Sequence, residues 1–198
     1  MARISLNKST LSEQLRQLKA CQNFLPALDL KRRQLLSEQQ KARLELDEVQ
    51  RRQEALNPTI QQQLPMLGYE QVDLVGLVKL TDVELIEENV MGIHLPRVGR
   101  LNVHIAEYPF LAKPHWVDRV VQALKQAIEI RIQRQVVERR LELLEHSAKV
   151  VSQRVNLFER VLIPRIRANI QRIRVFLSDS DRASTVRAKI AKGGKEAS

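Results

Sequence analysis

The chain has 198 residues, with 33 Lys or Arg against 23 Asp or Glu for a net charge of +10, 4% aromatic residues and one cysteine. So few aromatics beside 28% charged residues speak against an ordinary globular core and for an elongated helical protein. No run of about 20 apolar residues occurs and no charged-then-apolar leader opens the chain, so the expectation is a soluble, non-secreted, cytoplasmic protein.

Residues 1–57 contain no glycine and residues 115–192 contain none either, whereas Gly68, Gly76, Gly92 and Gly99 and five of the seven prolines fall between them. The predicted organisation is therefore an N-terminal coiled-coil helix over 1–57, an insert over 58–114, a C-terminal coiled-coil helix over 115–192 and a flexible tail over 193–198. In the first arm two seven-residue apolar series interleave. One is Cys21, Leu28, Leu35, Ala42, Val49 and Leu56; the other is Leu11, Leu18 and Leu25, with Leu46 later. A 3.5-residue mean spacing keeps one seam facing a partner helix. The second series breaks at Arg32, Gln39 and Gln53, which predicts a polar or loosened middle. Cys21 lies on the seam and reads as a small core residue.

The insert loses the helical period. Val72–Lys79, Asp82–Glu88 and Leu101–Glu107 are short, rich in Val, Leu and Ile, and punctuated by Gly, Pro and Asn, the pattern of strands and turns. Pro96-Arg97-Val98-Gly99-Arg100 reads as a hairpin tip joining a strand near Val90–Leu95 to one near Leu101–Ala106. With only Tyr69, Tyr108 and Phe110 as aromatics, the insert is expected to lean on the arms or on another protein.

The C-terminal arm steps by four and three through Val137, Leu141, Leu144, Ala148, Val151, Val155, Phe158 and Leu162, with Trp116, Val120, Leu124 and Ile128 opening the same face. Ile166, Ile170, Ile173 and Leu177 continue at a slightly longer spacing, so the stripe drifts and the supercoil relaxes. A helix over 116–178 is about 90 Å long at 1.5 Å per residue. Pro26 and Pro164 each remove a helix hydrogen bond at a cost of about 3 kcal/mol, which predicts bends in both arms.

Charge is unevenly spread: residues 1–57 carry +4, 58–114 carry −3 and 115–198 carry +9. Over 149–178, Lys149, Arg154, Arg160, Arg165, Arg167, Arg172 and Arg174 are opposed only by Glu159. A solvated helix face explains so one-sided an excess poorly. Nucleic acid, an acidic protein lumen and an anionic membrane each fit it by charge, although stacking aromatics and a nucleic-acid motif are missing.

Catalytic constellations are not found. His94, His104, His115 and His146 fall in no metal-ligand spacing, and there is no phosphate loop, G-x-S-x-G or H-E-x-x-H. His94 and His104 flank the expected hairpin tip and could approach each other, with hairpin packing the plainer reading. Asp29 beside Lys31, Arg32 and Arg33 reads as a helical salt-bridge cluster.

Three stretches carry a resemblance: Asn7-Lys8-Ser9-Thr10-Leu11, Leu28-Asp29-Leu30-Lys31-Arg32-Arg33-Gln34-Leu35-Leu36, and Arg154-Val155-Asn156-Leu157-Phe158-Glu159-Arg160-Val161-Leu162-Ile163-Pro164. Together they resemble the D subunit, the central rotor stalk, of the rotary V-type (A/V-type) ATPases and ATP synthases. The sequence departs from that family's pattern at Pro26 and at Ser178-Asp179-Ser180-Asp181. The resemblance implies a mainly α fold, a long antiparallel two-helix coiled coil of the N- and C-terminal helices with a small β-hairpin-containing insert. It implies a non-catalytic subunit of the V1 sector, peripheral to the membrane, that couples ATP hydrolysis or synthesis to ion translocation.

The implied partners are the A and B subunits of the catalytic ring, an F-like stalk subunit and a socket subunit above the membrane rotor ring. No nucleic acid and no cofactor, catalytic or metal site is implied, and membrane contact is indirect. Ring contact is expected from Arg160, Arg165, Arg167, Arg172 and Arg174, and contact with the F-like subunit from Arg51, Arg52, Arg139 and Arg140. The alternative is a basic coiled-coil scaffold that binds membrane surfaces or nucleic acid.

Overall fold

The computed structural model describes residues 5–63, 76–106 and 116–196. In chain order the elements are helix α1 (Lys8–Gln63), strands β1 (Val78–Val90) and β2 (Ile93–Ile105), helix α2 (Val117–Asn156), a π-helical turn (Leu157–Leu162) and helix α3 (Ile163–Glu196). The protein is thus mainly helical, with a two-stranded antiparallel hairpin between a long N-terminal and a long C-terminal helical region. Two compact units divide the chain, one of residues 1–32 with 150–198 and one of residues 33–149. Tyr69, Tyr108, Phe110, His115 and the start of the Val72–Lys79 segment lie outside the described residues.

In the unit that holds both chain ends, α1 starts where Asn7 caps it. The Asn7 side-chain oxygen accepts the Thr10 amide at 2.7 Å, which satisfies one of the free N–H groups of the first turn. α1 then runs unbroken through Pro26. On the other side Val151, Val155, Ile163, Ile166, Ile170 and Ile173 are buried, while Leu11, Leu18, Cys21, Leu25 and Leu28 of α1 are half-buried. Asn169 donates across to Gln14 at 3.3 Å.

The departure from regular α geometry beside Pro164 takes the form of the π turn, in which the Ile163 amide donates to the Phe158 carbonyl. Val155 and Ile163 are eight residues apart, about 80° off a common face in an uninterrupted α-helix. The one extra residue of the π turn brings both back to the buried side. Its consequence is that no residue of the turn is buried, so Phe158 and Leu162, expected in the seam, are only half-buried. α3 continues through Ser178–Asp181, where the Asp181 carbonyl accepts the Ser184 and Thr185 hydroxyls at 2.8 and 2.9 Å.

In the second unit the rest of α1 faces α2 over Leu35, Ala42, Val49, Val137, Leu144 and Ala148, all buried. Gln39 and Gln53, where the apolar series breaks, hydrogen-bond across the pair to Glu145 and Arg134 at 3.1 Å each. The polar middle is therefore bridged by hydrogen bonds.

The hairpin corrects one expectation. Pro96–Arg100 is not the tip but lies inside β2, and the chain reverses at Met91-Gly92, with φ of 55° and 78°. Two consecutive positive-φ residues form the I′-type turn that matches strand twist, and the Asn89 side chain accepts the Gly92 amide at 2.9 Å. Pro96 is tolerated because each strand of a two-stranded ribbon has a free edge. Gly99 falls where the register shifts, and a Cβ there would lie 2.9 Å from Ile86 Cγ1 and 3.0 Å from the Glu84 carbonyl oxygen. Leu95 is fully buried. At the open end Leu77 packs with Val117 and Val121, flanked by Val78 and Trp116, and its carbonyl accepts the Ala106 amide at 2.9 Å.

Candidate partner-binding sites

Within the second unit, α1, β2 and α2 enclose a cavity of about 280 Å³. Its apolar lining includes Val49, Val98 and Val137, and Arg52, Arg97 and Arg140 contribute guanidinium groups. Each arginine arrives from a different element, which is why no sequence spacing links them. Arg140 is the most constrained, only 17% exposed and 3.1 Å from Glu88 of β1. Arg52 pairs with Glu48 one turn earlier on α1. Of the four arginines expected to meet an F-like subunit, the structure brings Arg52 and Arg140 together at this cavity. Arg51 and Arg139 do not line it: Arg51 is exposed, and Arg139 pairs with Glu142 at 2.9 Å on its own helix. Arg97 was not singled out from sequence, because it reads as a turn residue until the hairpin register is known.

Elsewhere in the same unit, Glu145 accepts hydrogen bonds from Arg43 at 2.8 Å and Gln39 at 3.1 Å. The Arg43 guanidinium, followed by the Gln39 amide, holds its carboxyl below the usual carboxylate range. The bridge joins α1 to α2, but both partners are about half exposed, so its contribution is modest. In the first unit, Asp29 and Arg32 form the expected helical ion pair at 2.5 Å.

In the first unit, Arg160, Arg165, Arg167, Arg172 and Arg174 are all exposed on the π turn and α3. No ion pair to them is found among the described residues, in contrast to the paired arginines of the second unit. Arg174 lines a groove with Leu11 and Leu177, where the start of α1 meets α3. The histidines do not converge. His94 sits beside the turn, 3.5 Å from Glu87, while His104 is ten residues along the same strand, opposite Lys79. Among the described residues no group of three or more His, Cys, Asp or Glu could hold a metal ion.

A family model for the D subunit of ATP synthase matches residues 10–193, nearly the whole chain. The chain belongs to the ATP synthase D-subunit family. Three relatives agree with it over almost their full length. The V-type ATP synthase D subunit of Borreliella burgdorferi is 31% identical over 192 residues, covering 97% of this chain and 95% of the relative. That of Chlamydia muridarum is 30% identical, covering 96% and 95%, and that of Chlamydia pneumoniae 29% identical, covering 96% and 91%. Among the described residues of this family member no helix is long and apolar enough to cross a membrane.

Proposed function

We propose that this chain is the central-stalk rotor subunit of a rotary V-type ATPase/ATP synthase, coupling ATP hydrolysis or synthesis in a ring of A and B subunits to ion translocation. It performs no chemistry itself and transmits work done at the nucleotide sites. Under this reading the basic face of α3 meets the ring, an F-like stalk partner binds at the Arg52–Arg140 cavity, and a socket subunit links the stalk to the membrane rotor ring. The chain belongs to the cytoplasmic V1 sector and reaches the membrane only through the complex.

The observation that supports this reading most directly is the pairing of the helices in each unit by cross-helix polar contacts over an apolar seam. Gln14–Asn169 marks one unit, and Gln39 and Arg43 with Glu145, together with Gln53–Arg134, mark the other. A subunit that carries torque must keep its helices from sliding past each other, and side chains that bond only in one register oppose sliding. Membership of the ATP synthase D-subunit family supports the same reading.

The test is to express the tagged chain with the other subunits of its complex and ask what co-purifies. Nucleotide-binding ring subunits and a small stalk subunit are expected. Recovery of the chain alone as a lipid-bound dimer would sink the reading. Changing Arg160, Arg165, Arg167, Arg172 and Arg174 to Gln is expected to lower ion transport per ATP hydrolysed and to flatten its salt dependence; unchanged coupling would remove these arginines from the mechanism.

A further inference from the structure

The two faces of the hairpin differ in kind. Residues opposite each other on paired strands share a face, and four of the registered pairs are aliphatic on both strands: Val78 with Ile105, Leu80 with Val103, Val83 with Leu101 and Leu85 with Val98. Along the sequence these residues do not alternate evenly, because β1 puts two residues between Leu80 and Val83 and β2 puts two between Val98 and Leu101. The register shifts fall at those gaps, one between Leu80 and Asp82 and the other between Val83 and Leu85, opposite the Val98–Leu101 step. Each bulge takes up the odd residue and returns the aliphatic side chains to one face. The other face holds Lys79 with His104 and Asp82 with Asn102, all exposed.

The aliphatic face is largely bare. None of the residues in the four pairs is buried. Leu85 is 52% exposed, Leu80 43% and Ile105 39%. Val78 leans on the Leu77 cluster and Val98 borders the cavity, so the open patch is the stretch between them. A two-stranded ribbon is marginal in water by itself, and a second sheet stacked on its apolar face at about 10 Å supplies the missing layer.

We infer that in the free chain this face is covered by the same face of a second copy, the two hairpins stacking about a two-fold axis parallel to their strands. The face suits itself. It is divided lengthwise, with aliphatic pairs from the foot to Leu85 and then the polar pairs Glu87 with Pro96 and Asn89 with His94 toward the turn. A two-fold axis along the strands lays aliphatic pairs on aliphatic pairs and turn end on turn end. It also lays β1 of one copy over β2 of the other, so the exposed Glu87 carboxylate, 3.5 Å from its own His94, comes over the strand that carries His94 of the second copy and not over that copy's Glu87. No charged residue lies in the four aliphatic pairs, so the centre of the stack brings no like charges together. A patch about 25 Å long and two strands wide buries about 600 Å² over both copies, half of what a stable complex needs. The dimer is therefore a weak one, with a Kd of about 100 µM. It concerns the chain by itself and does not rest on the rotor reading.

The test is sedimentation equilibrium of the full chain, without lipid, across concentrations on either side of about 100 µM, where a monomer–dimer curve is expected. The double variant Leu80→Ser, Leu85→Ser is expected to weaken the dimer about ten-fold or more. The control Phe24→Ser, Leu30→Ser, at α1 positions that are 63% and 58% exposed, is expected to leave it unchanged. The urea midpoint of Trp116 fluorescence shows whether the hairpin foot stays folded in each variant. A benzophenone amino acid at Val103 of the otherwise wild-type chain gives a reading independent of those variants: in the dimer-mass band after irradiation it is expected to join a peptide from residues 78–105 of the second copy. Sedimentation as a monomer throughout, equal weakening by both double variants, or adducts confined to helix peptides would overturn the inference. Failure of the rotor reading shows itself separately, as failure of the chain to co-purify with ring subunits.

Discussion

The two units build a helix pair in different ways. In the one that holds the chain ends, the seam is a run of isoleucines on α3 crossed by the Asn169–Gln14 hydrogen bond, and Arg160, Arg165, Arg167, Arg172 and Arg174 make no ion pair among the described residues. In the other, Gln39, Arg43, Gln53, Arg134 and Glu145 bridge α1 and α2, and Arg140 reaches the hairpin. One unit uses its arginines to bridge its elements, while the other leaves those of the π turn and the start of α3 exposed. The contrast is the expected one if the first unit is gripped from outside and the second must hold its own register.

The contrast can be broken by mutation. Ile173 is fully buried, and Ile173→Ala should cost about 3 kcal/mol through lost burial and a cavity. Hydrogen exchange should then rise in residues 8–32 and 163–177 but not in the hairpin; an equal rise in both units would show that they do not differ in this way. Next in size, Gly99→Val should cost about 2 kcal/mol by driving a side chain into Ile86 and the Glu84 carbonyl. Trp116 fluorescence, reporting the hairpin foot, should show a lowered urea midpoint, while exchange in the isoleucine seam stays as in the wild type.

Met91 adopts a positive φ that costs a non-glycine residue about 1 kcal/mol, so Met91→Gly should raise the hairpin's stability by up to about that amount. A lowered midpoint would show that the Met91 side chain has a packing role.

The smallest effect concerns Glu145. Its folded carboxyl titrates below the ordinary range, so its contribution is present above the unfolded-state pKa and is lost as pH falls through the folded one. The urea midpoints of wild type and Glu145→Gln should therefore differ slightly at pH 7 and converge in acid. A difference that persisted in acid would mean that the bridge acts by packing.

The heptads were legible in sequence because a 3.5-residue spacing is a local property that burial only confirms. Leu35, Ala42, Val49, Val137 and Leu144 are all buried as the series required. The hairpin was legible as two strands and misread at its turn. Pro96 and Gly99 are strong punctuation, but Gly99 is needed for a close approach across the ladder, and the true turn uses Met91, a residue with no turn preference. The candidate sites were half legible. Single arginines could be picked out, but the cavity needed Arg52, Arg97 and Arg140 to be brought together by three elements.

The helix–hairpin–helix order, the seams and the family all follow from the order of residues, because periodicity and motif spacing are written along the chain. Where the hairpin reverses, how the polar breaks of the seam are bridged, and which face of α3 stays bare emerged only once the chain was folded. Each of these depends on what lies opposite a residue, and a heptad specifies only which way a side chain faces.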